Sequence, residues 1–246
     1  MTKYSTPYIT GDLENTIRKR RNFFIRRLLK WSASNFPDYP WRKTTDPYLI
    51  LVAEMLLRKT RAPQVKDIYD KFVKEFPSLK TLYDADTNMI EDVVRGLGLK
   101  YRAAWIKDIV RNLYDRYGNS IPSDEYSLQK GIGKNRKYIL NCVRCFAFNT
   151  NTAVFDVNVK RILQRVFSID FGKEAHKDPA AWEIASLLVP EGLSREYNWA
   201  MLDLGRLICT ARNPKCNICP LRKLCDFADA RARTPATPLG ADSVSK

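Results

Sequence analysis

Residues 209–225 read CTARNPKCNICPLRKLC, with thiols at Cys209, Cys216, Cys219 and Cys225. Four of the six cysteines fall in this one segment, spaced C-x6-C-x2-C-x5-C. Thiolates are soft ligands, and a set of four suits Zn²⁺ or an iron–sulfur cluster. Zinc ribbons ordinarily carry two C-x2-C pairs, and this segment carries one. Loops of six, two and five residues suit wrapping around a larger cubane. The spacing therefore favours a cluster and leaves zinc open. Cys142 and Cys145 stand at i, i+3 on an expected helix and read as small buried hydrophobes.

The rest of the chain sets the context for those thiols. Lys and Arg outnumber Asp and Glu by 42 to 27 over 246 residues, a net charge of +15, with a pI near 9.6. Such a charge favours a polyanionic partner, most simply nucleic acid. Apolar residues make up 45%, enough for a sizeable core. The opening stretch, MTKYSTPYITGDLENT, has no apolar signal-peptide region. The longest apolar run, Tyr48 to Leu57, is too short to span a bilayer and contains Glu54. An intracellular protein with no membrane partner is expected, and in that setting clustered cysteines bind metal more often than they form disulfides.

The hydrophobic period is helical nearly throughout, so the expected class is all-α. Helices are expected near 12–34, 48–60, 63–76, 88–95, 101–117, 135–148, 157–168, 179–188 and 195–209. Pro77, Gly96, Gly98, Pro122, Gly131, Gly133, Pro190 and Pro214 punctuate them. A basic run, Arg18 to Arg21, lies on the first helix and reads as a surface coat or a DNA contact. Residues 229–246 are poor in large apolar groups and read as a disordered tail. His176, the only histidine, lies in a polar stretch and is given no role.

Three constellations carry possible chemistry. In QKGIGKNRKY (129–138), Gly131 and Gly133 flank one apolar residue and a helix follows. That suits a helix-hairpin-helix, whose backbone amides approach a phosphate closely, with Lys134, Arg136 and Lys137 adding charge. An ordinary tight turn is the plainer reading. In TAVFDVNVKRI (152–162), Asp156 starts a helical pattern. It reads as an N-cap, and also as a carboxylate that stabilises a developing cation or activates water. Glu54 sits among apolar neighbours, where a carboxylate is costly unless paired or protonated. It reads as a buried ion pair, as a solvent-facing position, or as a pocket acid.

Hairpin, aspartate and cysteine segment, in that order, resemble one family: the helix-hairpin-helix DNA glycosylases with an iron–sulfur cluster. The likeness runs over roughly 38–227, through PWRKTTDPYLILVAEMLLRKTRAPQV, RGLGLKYRA, FAFNTNTAVFDVNVKRI and NWAMLDLGRLICTARNPKCNICPLRKLC. It implies a two-lobed all-α fold. A six-helix barrel with the hairpin would span 43–151. Residues 1–42 and 152–228 would form the cluster lobe, with a [4Fe–4S] cluster on the four cysteines. The partner would be double-stranded DNA carrying a mismatch or lesion, bound by a monomer with the target base flipped out. Arg58 and Lys59, at the end of the Glu54 helix, would fill the vacated stack or contact the orphan guanine.

The family's branches differ at the residue eighteen positions before the aspartate, here Tyr138. Lys there resembles the bifunctional lyases, Ser the adenine enzymes, and Tyr the thymine-DNA mismatch glycosylases. LLRKTRAPQVKDIYDKF also resembles the last branch. Only 21 residues follow Cys225, too few for the lesion-reading domain of the adenine enzymes. The implied activity is monofunctional removal of thymine or uracil opposite guanine, with Asp156, Tyr138 and Glu54 in the site. A bifunctional lyase on oxidised pyrimidines, an adenine glycosylase and a non-catalytic lesion binder are the alternatives. One departure bears on the site. The second hairpin glycine of the family stands two residues before the pocket position, whereas Gly133 stands five before Tyr138. Either the connection is longer and Tyr138 keeps its place, or Asn135 takes it. A slip of one residue would instead bring up Lys137.

Overall fold

The computed structural model describes residues 11–98 and 101–233. No strand occurs among them. Twelve α-helices do: α1 (Gly11–Ala33), α2 (Pro47–Leu57), α3 (Ala62–Glu75), α4 (Leu79–Asp84), α5 (Thr87–Val94), α6 (Arg102–Tyr117), α7 (Glu125–Ile132), α8 (Lys137–Phe146), α9 (Val157–Phe167), α10 (Pro179–Ser186), α11 (Ser194–Leu207) and α12 (Asp226–Arg233). Among the described residues no helix is long and apolar enough to cross a membrane.

The chain divides into two compact units. One comprises Ala33–Asp156 with Val189–Trp199. Its boundaries fall outside the expected 43–151 for a physical reason. Tyr39 stacks on Trp41 with centroids 4.8 Å apart, Trp41 meets Tyr69 edge-on at 5.3 Å, and Phe36 meets Trp199 edge-on at 5.5 Å. These aromatics tie 33–42 and the start of α11 into this unit. It holds seven whole α-helices, α2 to α8, where a six-helix barrel was expected; α4, of six residues, and α7 are the two that fall outside the expected helix ranges. A capping box starts α4, with Ser78 and Thr81 each satisfying the other's backbone.

Helix α2 is apolar on all sides and is correspondingly buried from Ile50 to Leu56. Asp46 caps it, accepting from the amides of Tyr48 and Leu49 at 2.8 and 3.3 Å, and Pro47 occupies its first turn. Burial of the whole helix places Glu54 inside.

The remaining described residues form the second unit: α1, α9, α10, most of α11 and α12. Ile17, Phe24 and Leu28 of α1 are fully buried, and Phe24 stacks on Phe167 at 5.9 Å. Part of the basic run on α1 is internal. Arg20 donates to the Asp226 carboxylate at 2.9 Å and to the Leu224 carbonyl at 3.2 Å, and Arg21 donates to the Leu187 carbonyl at 2.8 Å. Arg18 pairs with Glu14 one turn away. Residues 229–233, expected to open the tail, are the last turns of α12, whose Ala228 is buried. The rest of that expected tail lies outside the described residues.

Candidate active site

Glu54 is 4% exposed. Tyr138 and Cys142 stand one turn apart on α8, which packs against α2, and both influence the Glu54 carboxyl. One oxygen, Oε2, has no hydrogen-bond partner. Burial raises the Glu54 pKa from an ordinary 4.5 to about 7; the neighbouring Cys142 and Tyr138 and the charge of Arg42 oppose that rise, and the charge of Asp156 adds to it. A carboxyl poised near neutrality with one orphan oxygen is an acid available to a ligand. Arg42 is itself held in an aromatic cage, with its guanidinium carbon 4.6 Å from the Phe36 centroid, 5.4 Å from Tyr39 and 5.5 Å from Trp199.

Asp156 is half-buried and immediately precedes α9. The extended stretch leading to it is pinned by two buried amides. Asn198 Oδ1 accepts from the Val154 amide at 2.8 Å, while its Nδ2 donates to Thr152 O at 2.9 Å and Ser194 O at 2.8 Å. Asn141 donates to Ala153 O at 2.8 Å from α8. Helix α8 thus carries Tyr138 and Cys142, which influence Glu54, and Asn141, which fixes the approach to Asp156. Sequence reading singled out neither asparagine, and Cys142 only as a hydrophobe.

The hairpin joins α7 to α8. Asp124 caps α7, accepting from Ser127 N at 2.8 Å. Gly131 is buried, and a Cβ there would overlap the Leu113 side chain. Gly133 has φ +105°, a left-handed conformation that only glycine adopts without strain. Lys134 and Asn135 are exposed in the turn, and α8 begins at Lys137, two residues later than expected. Asn135 thus lies in the exposed turn, while Tyr138 stands in the first turn of α8, the helix packed against α2. Arg136 is engaged within the chain, donating to Ile132 O and pairing with Asp108 at 2.7 Å. Lys137 is half-buried, and burial lowers its pKa.

Past the end of α2, Arg58 and Lys59 are exposed; Arg58 lies over the Trp105 ring at 4.5 Å and Lys59 has φ +55°. Arg102, which sequence reading passed over, is buried beneath them. It donates to Met55 O and Leu56 O at 2.9 Å each, to Arg58 O at 3.0 Å and to Thr60 Oγ1 at 2.7 Å. One guanidinium satisfies the carbonyls that a helix end leaves open.

In the second unit, Cys209, Cys216, Cys219 and Cys225 line one pocket together with Arg165 and Phe227. Arg165 donates to Cys209 Sγ at 3.3 Å and to Thr210 O at 2.7 Å. Arg161 donates to Cys209 O at 2.7 Å and Gly205 O at 2.8 Å. Burial pushes the Cys219 thiol up to about 11, and the neighbouring thiols push the same way. Four thiols crowded like this become thiolates readily only around a cationic centre, so the donor set fits one. Among the described residues no three His, Cys, Asp or Glu side chains converge tightly enough to chelate a single ion.

Comparison with known proteins gives concordant results. Residues 52–184 match the HhH-GPD superfamily of base excision DNA repair proteins, and residues 209–225 match the iron–sulfur binding domain of endonuclease III. The thymine/uracil-DNA glycosylase of Methanothermobacter thermautotrophicus is 33% identical over 218 residues, spanning 87% of this chain and 97% of its own. The thymine-DNA glycosylase of Aeropyrum pernix is 38% identical over 209 residues, spanning 82% and 92%. The solved structure of a thermostable thymine-DNA glycosylase superposes with a TM-score of 0.80 at 33% identity, covering 87% of this chain and 99% of that one.

Proposed function

The chain belongs to the HhH-GPD superfamily of base excision DNA repair proteins, and from that membership we propose that it is a monofunctional DNA glycosylase removing thymine or uracil mispaired with guanine. The observation that carries the reading is the buried Glu54 carboxyl with one oxygen unpartnered, in an electrostatic neighbourhood that Tyr138 and Asp156 share. Relatives named for thymine and uracil removal span most of their own length in this match. The setting is intracellular, and the enzyme acts as a monomer on duplex DNA.

The net charge of +15 draws the protein to DNA. Lys134 and Lys137 at the hairpin, with the amides around Gly131 and Gly133, hold the backbone without reading sequence. Arg136 adds charge there while bracing the turn. A mismatch lowers the cost of flipping. Arg58 and Lys59 occupy the vacated stack and face the orphan guanine. The flipped pyrimidine then meets the orphan oxygen of Glu54 and the ring of Tyr138. As the C1′–N1 bond breaks, its electron pair leaves with the base, and Glu54 gives its proton to a pyrimidine oxygen. Asp156 stabilises the cationic sugar and orients the water that adds to C1′, accepting that water's proton. The products are the free base and an abasic site, with the strand intact.

The four cysteines would hold a [4Fe–4S] cluster. Their soft thiol donors and shared pocket suit such a group. When bound, the cluster supplies a cross-link of the loop that carries Arg212, Lys215, Arg222 and Lys223.

Lys137 supports a second reading. Its pKa is lowered by burial, as a Schiff-base amine requires, and it adjoins Tyr138. The deciding experiment is single-turnover base release from labelled duplexes holding G·T, G·U, A·8-oxoguanine or thymine glycol, with and without alkali. Alkali-dependent breaks at G·T and G·U are expected. Breaks without alkali, with a borohydride-trapped adduct lost in Lys137→Ala, would establish the lyase reading. Release of adenine alone would overturn the branch, and binding without release would make the protein a lesion binder.

A further inference from the structure

Ala153, Val154 and Phe155 are each at most 2% exposed, in a stretch that belongs to no helix. Buried main-chain groups need partners, and a stretch outside a helix must find them elsewhere. Here two side-chain amides supply them. Asn198 of α11 accepts from Val154 N at 2.8 Å and donates to Thr152 O at 2.9 Å. One acceptor and one donor thus flank residue 153, as a residue of a neighbouring parallel strand would. Asn141 of α8 donates to the Ala153 carbonyl at 2.8 Å. Successive carbonyls of an extended chain point to opposite sides, so Asn141 grips the side that Asn198 leaves. Asn198 is 1% exposed and is itself held by the Ser194 carbonyl at 2.8 Å. The Ser194 hydroxyl donates to Asn151 Oδ1 at 2.6 Å and ties the same two segments once more. Asp156 lies two residues beyond the last clamped group.

We propose that Asn198, assisted by Asn141, is a positioning residue for Asp156: the two amides fix the main chain that delivers the carboxylate to the sugar. The inference rests on the glycosylase reading, which gives Asp156 that task. Asp156 is the last residue of the unit that contains Glu54 and Tyr138, whereas α9, which begins at Val157, belongs to the other unit. Both asparagines belong to the unit of Glu54. The approach to the carboxylate is therefore set by the unit that carries the rest of the proposed site, and not by the helix that follows it. A displacement of about 1 Å at a reacting group can cost on the order of 100-fold in rate. An apolar side chain would fill the volume of Asn198, but it would strand Thr152 O and Val154 N in a buried setting.

The test sets two unreactive duplexes beside a reactive one. A pyrrolidine opposite guanine places a fixed cation where the sugar charge develops, and a tetrahydrofuran is its neutral counterpart. Affinity for each, and single-turnover uracil release from a G·U duplex, are measured for wild type, Asn198→Ala, Asn141→Ala, Asp156→Asn and Phe24→Leu. Phe24 lies in the core of the other unit, so its variant loses stability away from the clamp; urea unfolding ranks all five proteins. Wild type should prefer the pyrrolidine, and Asp156→Asn should abolish that preference. Asn198→Ala should release uracil roughly 100-fold more slowly and lose most of the preference, with tetrahydrofuran affinity unchanged. Asn141→Ala should fall between it and wild type, and Phe24→Leu should keep both rate and preference. A merely structural role would weaken both analogues alike. Wild-type rate and preference in Asn198→Ala would overturn the proposal, as would a preference kept in Asp156→Asn or lost equally in Phe24→Leu. If Asn198→Ala does not fold, Asn141→Ala decides, an unchanged preference being the adverse result. Wild type that releases no base from any duplex would refute the glycosylase reading and this proposal with it. Release by wild type that Asn198→Ala leaves unaltered would refute this proposal alone.

Discussion

Arg102 holds the main chain of Arg58: the guanidinium, buried to 1% exposure, donates to the Arg58 carbonyl at 3.0 Å from the start of α6. The same group caps Met55 and Leu56 and reaches Thr60. The left-handed Lys59 is therefore bracketed on both sides by contacts to one side chain. The exposed pair proposed to enter the DNA stack stands on a fixed base, and the two can be separated by mutation. Arg102→Met should cost about 3 kcal/mol or more in stability, because it strands several buried carbonyls at once. Arg58→Ala should cost under about 0.5 kcal/mol while weakening discrimination for the mispaired guanine. Urea unfolding of the two variants, beside base release from G·U and A·U duplexes, checks both statements. Equal stability losses would show that Arg102 is not the cap it looks to be.

The hairpin glycines do two different jobs, and alanine should expose the difference. At Gly131 the added methyl would overlap Leu113, so Gly131→Ala forces α6 and α7 apart and should destabilise by about 1–3 kcal/mol. At Gly133 the obstacle is φ +105° together with Arg136 Nη1, 2.7 Å from the new Cβ. Arg136 is a flexible side chain that can yield, so the backbone term dominates, at about 1–2 kcal/mol. Displacing Arg136 also reshapes the turn, so Gly133→Ala should lose more DNA affinity per unit of stability lost than Gly131→Ala. Thermal melting beside duplex binding at fixed salt would show it.

Alanine at any of Cys209, Cys216, Cys219 or Cys225 should give protein with little bound iron, no brown colour and a lowered thermal midpoint. Cys145→Ala should keep both iron and colour. Its sulfur accepts from Asn198 Nδ2 at 3.3 Å in the other unit, away from the pocket that the four share. Iron assay and visible absorption decide the matter. Colour lost only with Cys145 would reassign the ligand set.

What the chain discloses without a structure follows from how local each signal is. The four cysteines lie within one segment, so their spacing alone is informative. Helix α2 declares itself because its residues are apolar on every side, and its burial carries Glu54 inward. Helices α4, α7 and α12 escape because they are short, and what fixes them is a capping box in the first, the Asp124 cap in the second and packing around Ala228 in the third. Arg102 escapes for a different reason. A lone arginine at a helix start reads as a solvated charge, and the oxygens it caps at Met55, Leu56, Arg58 and Thr60 lie 42 to 47 residues earlier in the chain. The position of Tyr138 is not legible for a further reason: the length of the turn at Lys134 and Asn135 decides where α8 begins, and spacing alone does not give it.

The Glu54 carboxyl makes stability depend on pH in a direction opposite to that of ordinary surface acids. Its folded pKa of about 7 lies above the ordinary 4.5. Between those values the folded chain keeps a proton that the unfolded chain has released, so stability falls as pH rises. The contribution of the neutral carboxyl is fully present below 4.5 and is lost as pH passes about 7. The loss is on the order of 3 kcal/mol for a shift of this size. Glu54→Gln removes the titration while keeping the shape. It should match wild type in stability at acid pH and exceed it above neutrality, the gap opening across that window. The same variant should release base at least about 100-fold more slowly at neutral pH, since an amide has no proton to give the departing pyrimidine. Urea unfolding of both proteins across the window isolates Glu54, because all other titrations cancel in the difference. A constant gap would mean that Glu54 ionises as freely folded as unfolded, and the acid assigned to the flipped base would have to be sought elsewhere.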